Sequence, residues 1–243
     1  MTAADLNKIT YPAAPTDPAV TDTYFGIEIA DIFRPLENDT AATTTKWVEA
    51  ENALTDSYLS RIPFSGDIRN RLNQLYNFKK SGIQSKENDG RYYFYENSGL
   101  ENQSVLYRKD AIDGSREVFL DPNKLSDDGT VALTGTFMSP DGKYTAYTIS
   151  RSGSDWTEIY VMDTETKQLL SDHIEWAKFT DAAWNGSDGF FYSAYEKPTD
   201  GKEFSNANEN HRIYYHKIGT PQSEDQLFYE DAQNPLHFHS AWV

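Results

Sequence analysis

The sequence lacks cysteine altogether and has few basic residues. Without cysteine, the chain forms no disulfide, offers no thiol nucleophile and builds no thiolate metal site. Its 22 lysine and arginine residues face 38 aspartate and glutamate residues, which gives a net charge of −16. A surface of this sign repels phosphate backbones, so we expect no nucleic-acid partner.

Long apolar runs are also absent from the sequence. No stretch approaches the roughly 18 consecutive apolar residues of a membrane span, so we expect no contact with membranes. The opening residues, MTAADLNKIT, have neither the basic start nor the apolar run of a signal peptide. No glycine-rich loop that would cradle a phosphate is present, and we predict no cofactor.

The residues that are present suit a β-rich core. Hydrophobic residues make up 38% of the chain, and its 16 tyrosines and 13 phenylalanines favour half-buried, pleated surfaces. At 243 residues, the chain is long enough for one large domain or two small ones.

The sequence up to residue 77 predicts an extended arm followed by two helices. Residues 1–39 are poor in periodicity and contain four prolines, which indicates an arm that lies over another part of the protein. Apolar residues at steps of seven and four predict a helix from about Thr43 to Leu59, capped by Thr44 or Thr45. The second helix, over about 67–76, would present one apolar stripe, formed by Ile68, Leu72, Leu75 and Tyr76.

A repeat in residues 78–243 predicts an incomplete β-propeller. Asp-Gly pairs begin at positions 89, 141 and 188, and each opens an aromatic strand that two further short strands follow. A unit of this kind is typical of a propeller blade. The fold class is therefore mainly β, with about two and a half four-stranded blades and open sheet edges. An ordinary antiparallel sandwich with several Asp-Gly turns is the alternative.

Several segments resemble, in order, the N-terminal part of the prolyl oligopeptidases, serine peptidases that cleave short peptides after proline. They extend over almost the whole chain and are Asp22–Gly26, Trp47–Asn52, Gly99–Tyr107, Phe119–Asn123, Leu125–Thr130, Ser152–Trp156 and Tyr214–Thr220. The resemblance implies that residues 1–77 belong structurally to an α/β-hydrolase domain, formed mainly by a C-terminal part that is missing here. Residues 78–243 would belong to a propeller that covers the active site and restricts entry to short peptides.

The resemblance also implies substrate contacts. Phe179, shortly before Trp184, matches an aromatic residue that the family places against the substrate residue two positions before the proline. Phe238 falls where the family has another apolar pocket residue, and packing in the propeller core is the alternative for Phe179. The polar stretch Glu196–Arg212 matches a mobile loop near the domain interface that is implicated in access, and a hairpin without a role is its alternative.

No catalytic residue is assigned to this chain. An α/β-hydrolase needs a nucleophilic serine in Gly-x-Ser-x-Gly, a histidine base and an acid that orients the base. The sequence contains no Gly-x-Ser-x-Gly, so we expect the chain alone to be inactive. His237 and His239 have a spacing that some metal sites use. No third histidine or acidic residue lies at a sequence spacing typical of a metal ligand, so we predict no metal.

Two functions stay open. The first is the N-terminal portion of a proline-specific serine oligopeptidase, whose partners are short proline-containing peptides and the missing C-terminal hydrolase domain. The second is a free-standing, non-catalytic binding module with a propeller-like surface. We also expect self-association through the open sheet edges. The lack of cysteine and the resemblance to periplasmic or secreted bacterial members favour export with a signal removed, and a cytoplasmic location is the alternative.

Overall fold

The computed structural model describes residues 9–199 and 207–243, which fall into two compact units. The first unit contains the described residues up to Leu72, with residues 198, 199 and 207, and the second contains Asn73–Lys197 and Asn208–Val243. The predicted division after residue 77 stays a prediction. Among the described residues, no helix combines the length and the apolarity that crossing a membrane requires.

The first unit contains a hairpin and the helices. Strands β1 (Thr21–Tyr24) and β2 (Ile27–Ala30) pair antiparallel, and a short 3-10 helix, Arg34–Glu37, follows them. Helix α1 spans Ala42–Leu59, and helix α2, Ser65–Tyr76, begins in this unit. The two helices confirm the sequence prediction. The arm contains the hairpin, whose strands the sequence did not indicate.

Helix α1 presents one face at the expected spacing, but its start is not the predicted one. Its least exposed side chains follow each other at steps of three and four, and they are Thr44, Trp47, Glu51, Leu54 and Tyr58. The N-cap residue is Ala41, which makes no side-chain cap hydrogen bond. The predicted caps, Thr44 and Thr45, lie inside the first turn, where the Thr45 hydroxyl donates to the Ala41 carbonyl. The cap prediction is therefore wrong.

The second unit contains three successive groups of antiparallel strands. The first group consists of β3 (Lys80–Ser81), β4 (Ser85–Lys86), β5 (Tyr92–Asn97), β6 (Val105–Lys109) and β7 (Glu117–Leu120). The second consists of β8 (Val131–Met138), β9 (Tyr144–Arg151), β10 (Trp156–Asp163) and β11 (Leu169–Lys178). The third consists of β12 (Ala183–Asn185), β13 (Gly189–Ala194), β14 (Arg212–Lys217) and β15 (Gln226–Tyr229). Two 3-10 turns, Pro122–Lys124 and Gln222–Glu224, join strands within this unit.

The sheet order is that of an incomplete propeller. In the first group β3 and β4, two residues each, both pair with β5, so they stand where one full strand would otherwise lie. The second and third groups share a single pair, Ala177 with Ala194, and are joined there into one sheet of eight strands. The sheets that the structure describes do not close into a ring, which confirms the predicted fold class.

Two of the three Asp-Gly pairs form the predicted turns. Gly90 and Gly142 both have a positive φ, which glycine adopts without strain. The third pair differs, because the turn lies at Gly186–Asp188 and Gly189 already begins β13. Gly189 is required for another reason: a Cβ there would lie 2.1 Å from the His216 carbonyl oxygen on the neighbouring strand.

The core lies between the faces of successive strand groups. One cluster joins Tyr93, Leu106 and Phe119 of the first group to Tyr147 and other residues of the second. A second cluster joins the second group to the third and contains Ile159, Ile174, Trp184, Phe190 and Tyr192. Aromatic and aliphatic side chains of neighbouring groups therefore pack against each other in both clusters.

A buried arginine ties the first strand group to the second. Arg108 of β6 donates from Nη1 to the Thr164 carbonyl at 2.5 Å and from Nη2 to the Glu165 carbonyl at 3.1 Å. Its Nε contacts Glu117 at 2.5 Å. The two carbonyls lie in the turn between β10 and β11, so one side chain fixes the separation of two blades.

Candidate functional site

The two residues expected to contact substrate lie against each other. The rings of Phe179 and Phe238 meet edge to face, with centroids 5.3 Å apart and planes at 76°. Phe179 follows the last residue of β11, and Phe238 lies in the irregular segment after β15. Their exposed fractions are 47% and 62%, so the pair forms a solvent-facing apolar surface, called here the phenylalanine wall. The substrate contact of Phe179, and core packing as its alternative, both stay predictions.

The backbone turns Phe179 outward through two strained residues. Trp176 and Phe179 have φ angles of 60° and 52°, in the left-handed region that bulky side chains avoid. Trp176 lies at a bulge, where Glu175 and Trp176 of β11 stand opposite the single residue Glu158 of β10. Strain of this kind persists only where the surroundings hold it, and it concentrates at functional sites.

A buried lysine and an aromatic cluster lie next to the phenylalanine wall. Lys178 is buried and donates from Nζ to Asn208 Oδ1 at 3.0 Å. The same ammonium lies 4.8 Å from the centroid of the Trp156 ring and 5.4 Å from that of Phe179. Trp156 also meets the Trp176 ring edge to face, at 5.4 Å. The lysine therefore joins the wall to the aromatic cluster by cation–π contacts.

His211 connects the two halves of the wall. Its Nε2 lies 2.9 Å from the Lys178 carbonyl oxygen, and its Nδ1 accepts the His239 backbone N–H at 3.0 Å. The ring is buried, and this burial lowers the pKa of the His211 imidazole. The sequence alone indicated no role for His211. Its partners lie about 30 residues away on either side, a separation that no local pattern reveals.

A second buried histidine forms a charged cluster between β11 and β14. His216 contacts Asp225 Oδ1 from Nδ1 at 2.6 Å and Asp172 Oδ1 from Nε2 at 3.0 Å. The Tyr192 hydroxyl donates to the second oxygen of Asp225 at 2.8 Å, and the Gly219 N–H donates to Asp172 at 2.6 Å. We call these residues the aspartate–histidine clasp.

The clasp holds its histidine in the charged state. Burial alone would lower the pKa of His216, but hydrogen bonds to Asp172 and Asp225 outweigh burial and raise it to about 9. Burial likewise opposes ionisation of Asp172, yet bonds from His216 and the Gly219 N–H hold the pKa of its carboxyl below the ordinary value. Asp172 Oδ2 is buried without a hydrogen-bond partner among the described residues.

The histidines considered as a metal pair point to different neighbours. His237 lies 3.7 Å from Asp231 with most of its side chain exposed. The His239 ring meets Tyr229 edge to face at 5.0 Å. Within residues 9–199 and 207–243, no three histidine or acidic side chains converge as metal ligands would.

The polar loop expected at Glu196–Arg212 is described only at its ends. Residues 200–206 lie outside the described residues. At the base of the loop, Arg212 Nη1 pairs with Glu196 at 2.6 Å and Nε pairs with Glu230 at 3.1 Å. These pairs fix both ends of the loop beside the start of β14.

Comparisons with known proteins give a consistent result. Residues 12–243 match the family described as "Prolyl oligopeptidase, N-terminal beta-propeller domain". The prolyl endopeptidase of Elizabethkingia miricola is 43% identical over 100% of this chain and 34% of its own length. Prolyl oligopeptidase A of Galerina marginata is 36% identical over 89% of this chain and 32% of its own length.

A solved structure supports the same relationship. Prolyl oligopeptidase B from Galerina marginata, bound to a 35mer hydrolysis and macrocyclization substrate, has a TM-score of 0.74 and 31% identity. The match covers 93% of this chain and 34% of that one. The chain thus spans about a third of the length of the relatives that it matches.

Proposed function

This chain belongs to the prolyl oligopeptidase family and holds that family's N-terminal β-propeller domain, and from this premise we propose that the whole protein is a serine oligopeptidase that cleaves short peptides after proline. The observation that carries the proposal is the match over residues 12–243, supported by relatives named prolyl endopeptidases. A C-terminal hydrolase domain would supply the serine, histidine and aspartate of the catalytic triad. This chain alone, without Gly-x-Ser-x-Gly, would not hydrolyse peptides.

The phenylalanine wall is the proposed contribution of this chain to substrate binding. Two exposed rings at a fixed mutual angle offer an apolar surface for the residue two positions before the substrate's proline. The buried Lys178 and the strained backbone at Phe179 hold that surface in place before any peptide arrives. The wall would therefore strengthen binding without taking part in bond cleavage.

Product mapping tests the proposed activity. The whole protein is incubated with a short peptide that contains one proline, and the products are identified by mass spectrometry. We expect one cut, on the carboxyl side of the proline, which a serine-directed covalent inhibitor abolishes. An intact peptide, or a cut that ignores the proline, would contradict the proposal and favour the non-catalytic binding module.

Substitution at the wall tests its role. Phe179→Ala removes the ring and is expected to raise KM about tenfold with little change in kcat, because the lost contact is apolar and serves binding. Phe238→Ala is expected to raise KM by a smaller factor. Phe78→Ala, which removes an exposed ring before β3, is the matched control. Equal KM values for the Phe179 and Phe78 variants would exclude a role of the phenylalanine wall in substrate binding.

The last strand presents an open edge. Every residue of β15 is exposed, with Leu227 at 49% and Phe228 at 66%. We propose that further blades cover this edge in the whole protein and that copies of the isolated chain associate through it. Light scattering after size exclusion should then show a mass that grows with concentration. A monodisperse monomer that melts cooperatively would contradict self-association.

A further inference from the structure

We propose that His211 is a positioning residue that sets the distance between the two rings of the phenylalanine wall, as a neutral imidazole that bridges the backbone on both sides. The inference rests on the proposed role of the wall in binding peptide. It adds a buried residue whose ring meets the Phe238 ring edge to face, with centroids 5.8 Å apart, and whose hydrogen bonds act on the backbone beside both rings of the wall.

The hydrogen bonds of His211 fix its tautomer. A backbone carbonyl only accepts, so the 2.9 Å contact with Lys178 requires a proton on Nε2. A backbone N–H only donates, so the 3.0 Å contact from His239 requires a lone pair on Nδ1. Only the neutral ring with its proton on Nε2 satisfies both partners.

Both bonds act on the residues that adjoin the wall. The Lys178 carbonyl belongs to the peptide bond that enters Phe179, and the His239 N–H belongs to the peptide bond that leaves Phe238. His211 therefore joins, through their backbones, the two segments whose rings have centroids 5.3 Å apart. The Ser193 hydroxyl also donates to the His239 carbonyl, at 2.8 Å, and holds the second segment independently of Phe179.

Protonation of His211 would break the bridge on one side. A proton on Nδ1 would face the His239 N–H, donor against donor, and release Phe238. The ionisable groups that face the ring are Tyr195 and His239, with ring centroids at 4.6 and 6.4 Å. Neither of them supplies a negative charge near neutral pH, and burial lowers the pKa of His211, so the surroundings keep the ring neutral.

The tautomer is the first test, because it is read on the protein with His211 in place. Histidine labelled with ¹⁵N in the whole protein gives separate signals for the two ring nitrogens, and His211→Gln identifies the pair that belongs to position 211. At pH 7 we expect a protonated Nε2 and an unprotonated Nδ1. A charged ring, or a proton on Nδ1, would overturn the inference.

Kinetics of the whole protein then test the effect on the wall. His211→Phe keeps the ring volume but loses both bonds, and we expect KM to rise about fivefold with kcat unchanged. His211→Gln carries a donor and an acceptor on one amide and should restore KM to within about twofold of the unaltered protein. His173→Gln, in a histidine bonded to Glu158 on the second strand group, is the control.

A double variant separates this inference from the proposed function. If His211 acts through the two rings, then His211→Phe raises the KM of Phe179→Ala by clearly less than the fivefold expected with Phe179 in place. Additive effects, or no effect of His211→Phe when Phe179→Ala raises KM, would overturn the inference and leave the wall intact. If Phe179→Ala leaves KM unchanged, the proposed role of the wall in peptide binding is refuted instead.

Discussion

Raising the pH should weaken the fold by discharging the aspartate–histidine clasp. His216 contacts carboxylate oxygens from both ring nitrogens, at 2.6 Å to Asp225 and 3.0 Å to Asp172. Carboxylates only accept hydrogen bonds, so both nitrogens must carry protons and the ring must be an imidazolium. Loss of its proton would leave a nitrogen lone pair against a buried carboxylate, with neither group able to reach water.

The size of the effect follows from the shift in pKa. The pKa of His216 is raised from its ordinary 6.5 to about 9, so the folded chain binds the proton more tightly than the unfolded chain does. This stabilisation is fully present below pH 6.5 and is lost as the pH rises through 9. At 1.36 kcal/mol per pKa unit, the clasp contributes about 3 kcal/mol at its full extent.

Urea unfolding at a series of pH values from 6 to 10 measures this loss. Trp184 contacts Phe190, and Phe190 contacts His216, each with ring centroids 5.3 Å apart, so tryptophan fluorescence reports on this region. Asp225→Asn keeps the shape of the side chain but removes one charge. It should reduce the pH-dependent part of the free energy of unfolding to about half. Glu175→Gln, on the exposed side of β11, is the control and should keep the full slope.

A flat free energy of unfolding between pH 6.5 and 9.5 would refute the reasoning. So would an equal slope in the Asp225→Asn variant, because the slope would then arise from groups outside the clasp.

Two further predictions concern how the blades are held together. Arg108→Met leaves the buried Thr164 carbonyl and the partly buried Glu165 carbonyl without their donor and should lower the free energy of unfolding by about 2–4 kcal/mol. Arg151→Met, at an exposed ion pair, should cost about 0.5 kcal/mol in the same urea titration. Similar costs for the two would contradict the proposed link. Gly142→Ala should cost more than Gly90→Ala by thermal melting, because both have a positive φ but only the Cβ at 142 meets backbone, at 2.7 Å from Asp89 Cα. Equal melting temperatures would show that the two turns do not abut.

Local patterns were sufficient to predict most of the elements. The apolar spacing in α1 and α2 predicted both helices to within two residues. The aromatic runs after Asp-Gly pairs predicted strands correctly, because each pair either makes the turn or stands beside it. The phenylalanine wall was predicted only through resemblance, since nothing in the spacing of Phe179 and Phe238 indicates that their rings meet.

The remaining features depend on contacts between distant residues. The cap of α1 was mispredicted because an alanine, with no side-chain cap bond, begins the helix before either threonine. The roles of His211 and His216 were missed because their partners come from other segments of the chain. A single buried histidine looks the same in sequence whether its neighbours make it neutral, as at His211, or charged, as at His216.

Photochemical crosslinking of a bound peptide tests directly whether the phenylalanine wall contacts the substrate. The peptide carries a benzophenone side chain two residues before its proline, and the whole protein is blocked at its serine so that the peptide persists. We expect mass spectrometry to find the label on Phe179, Phe238 or their immediate neighbours, and we expect Phe179→Ala to reduce the labelling. Labelling confined to residues 9–72, or labelling that an excess of unmodified peptide does not displace, would contradict substrate binding by the phenylalanine wall.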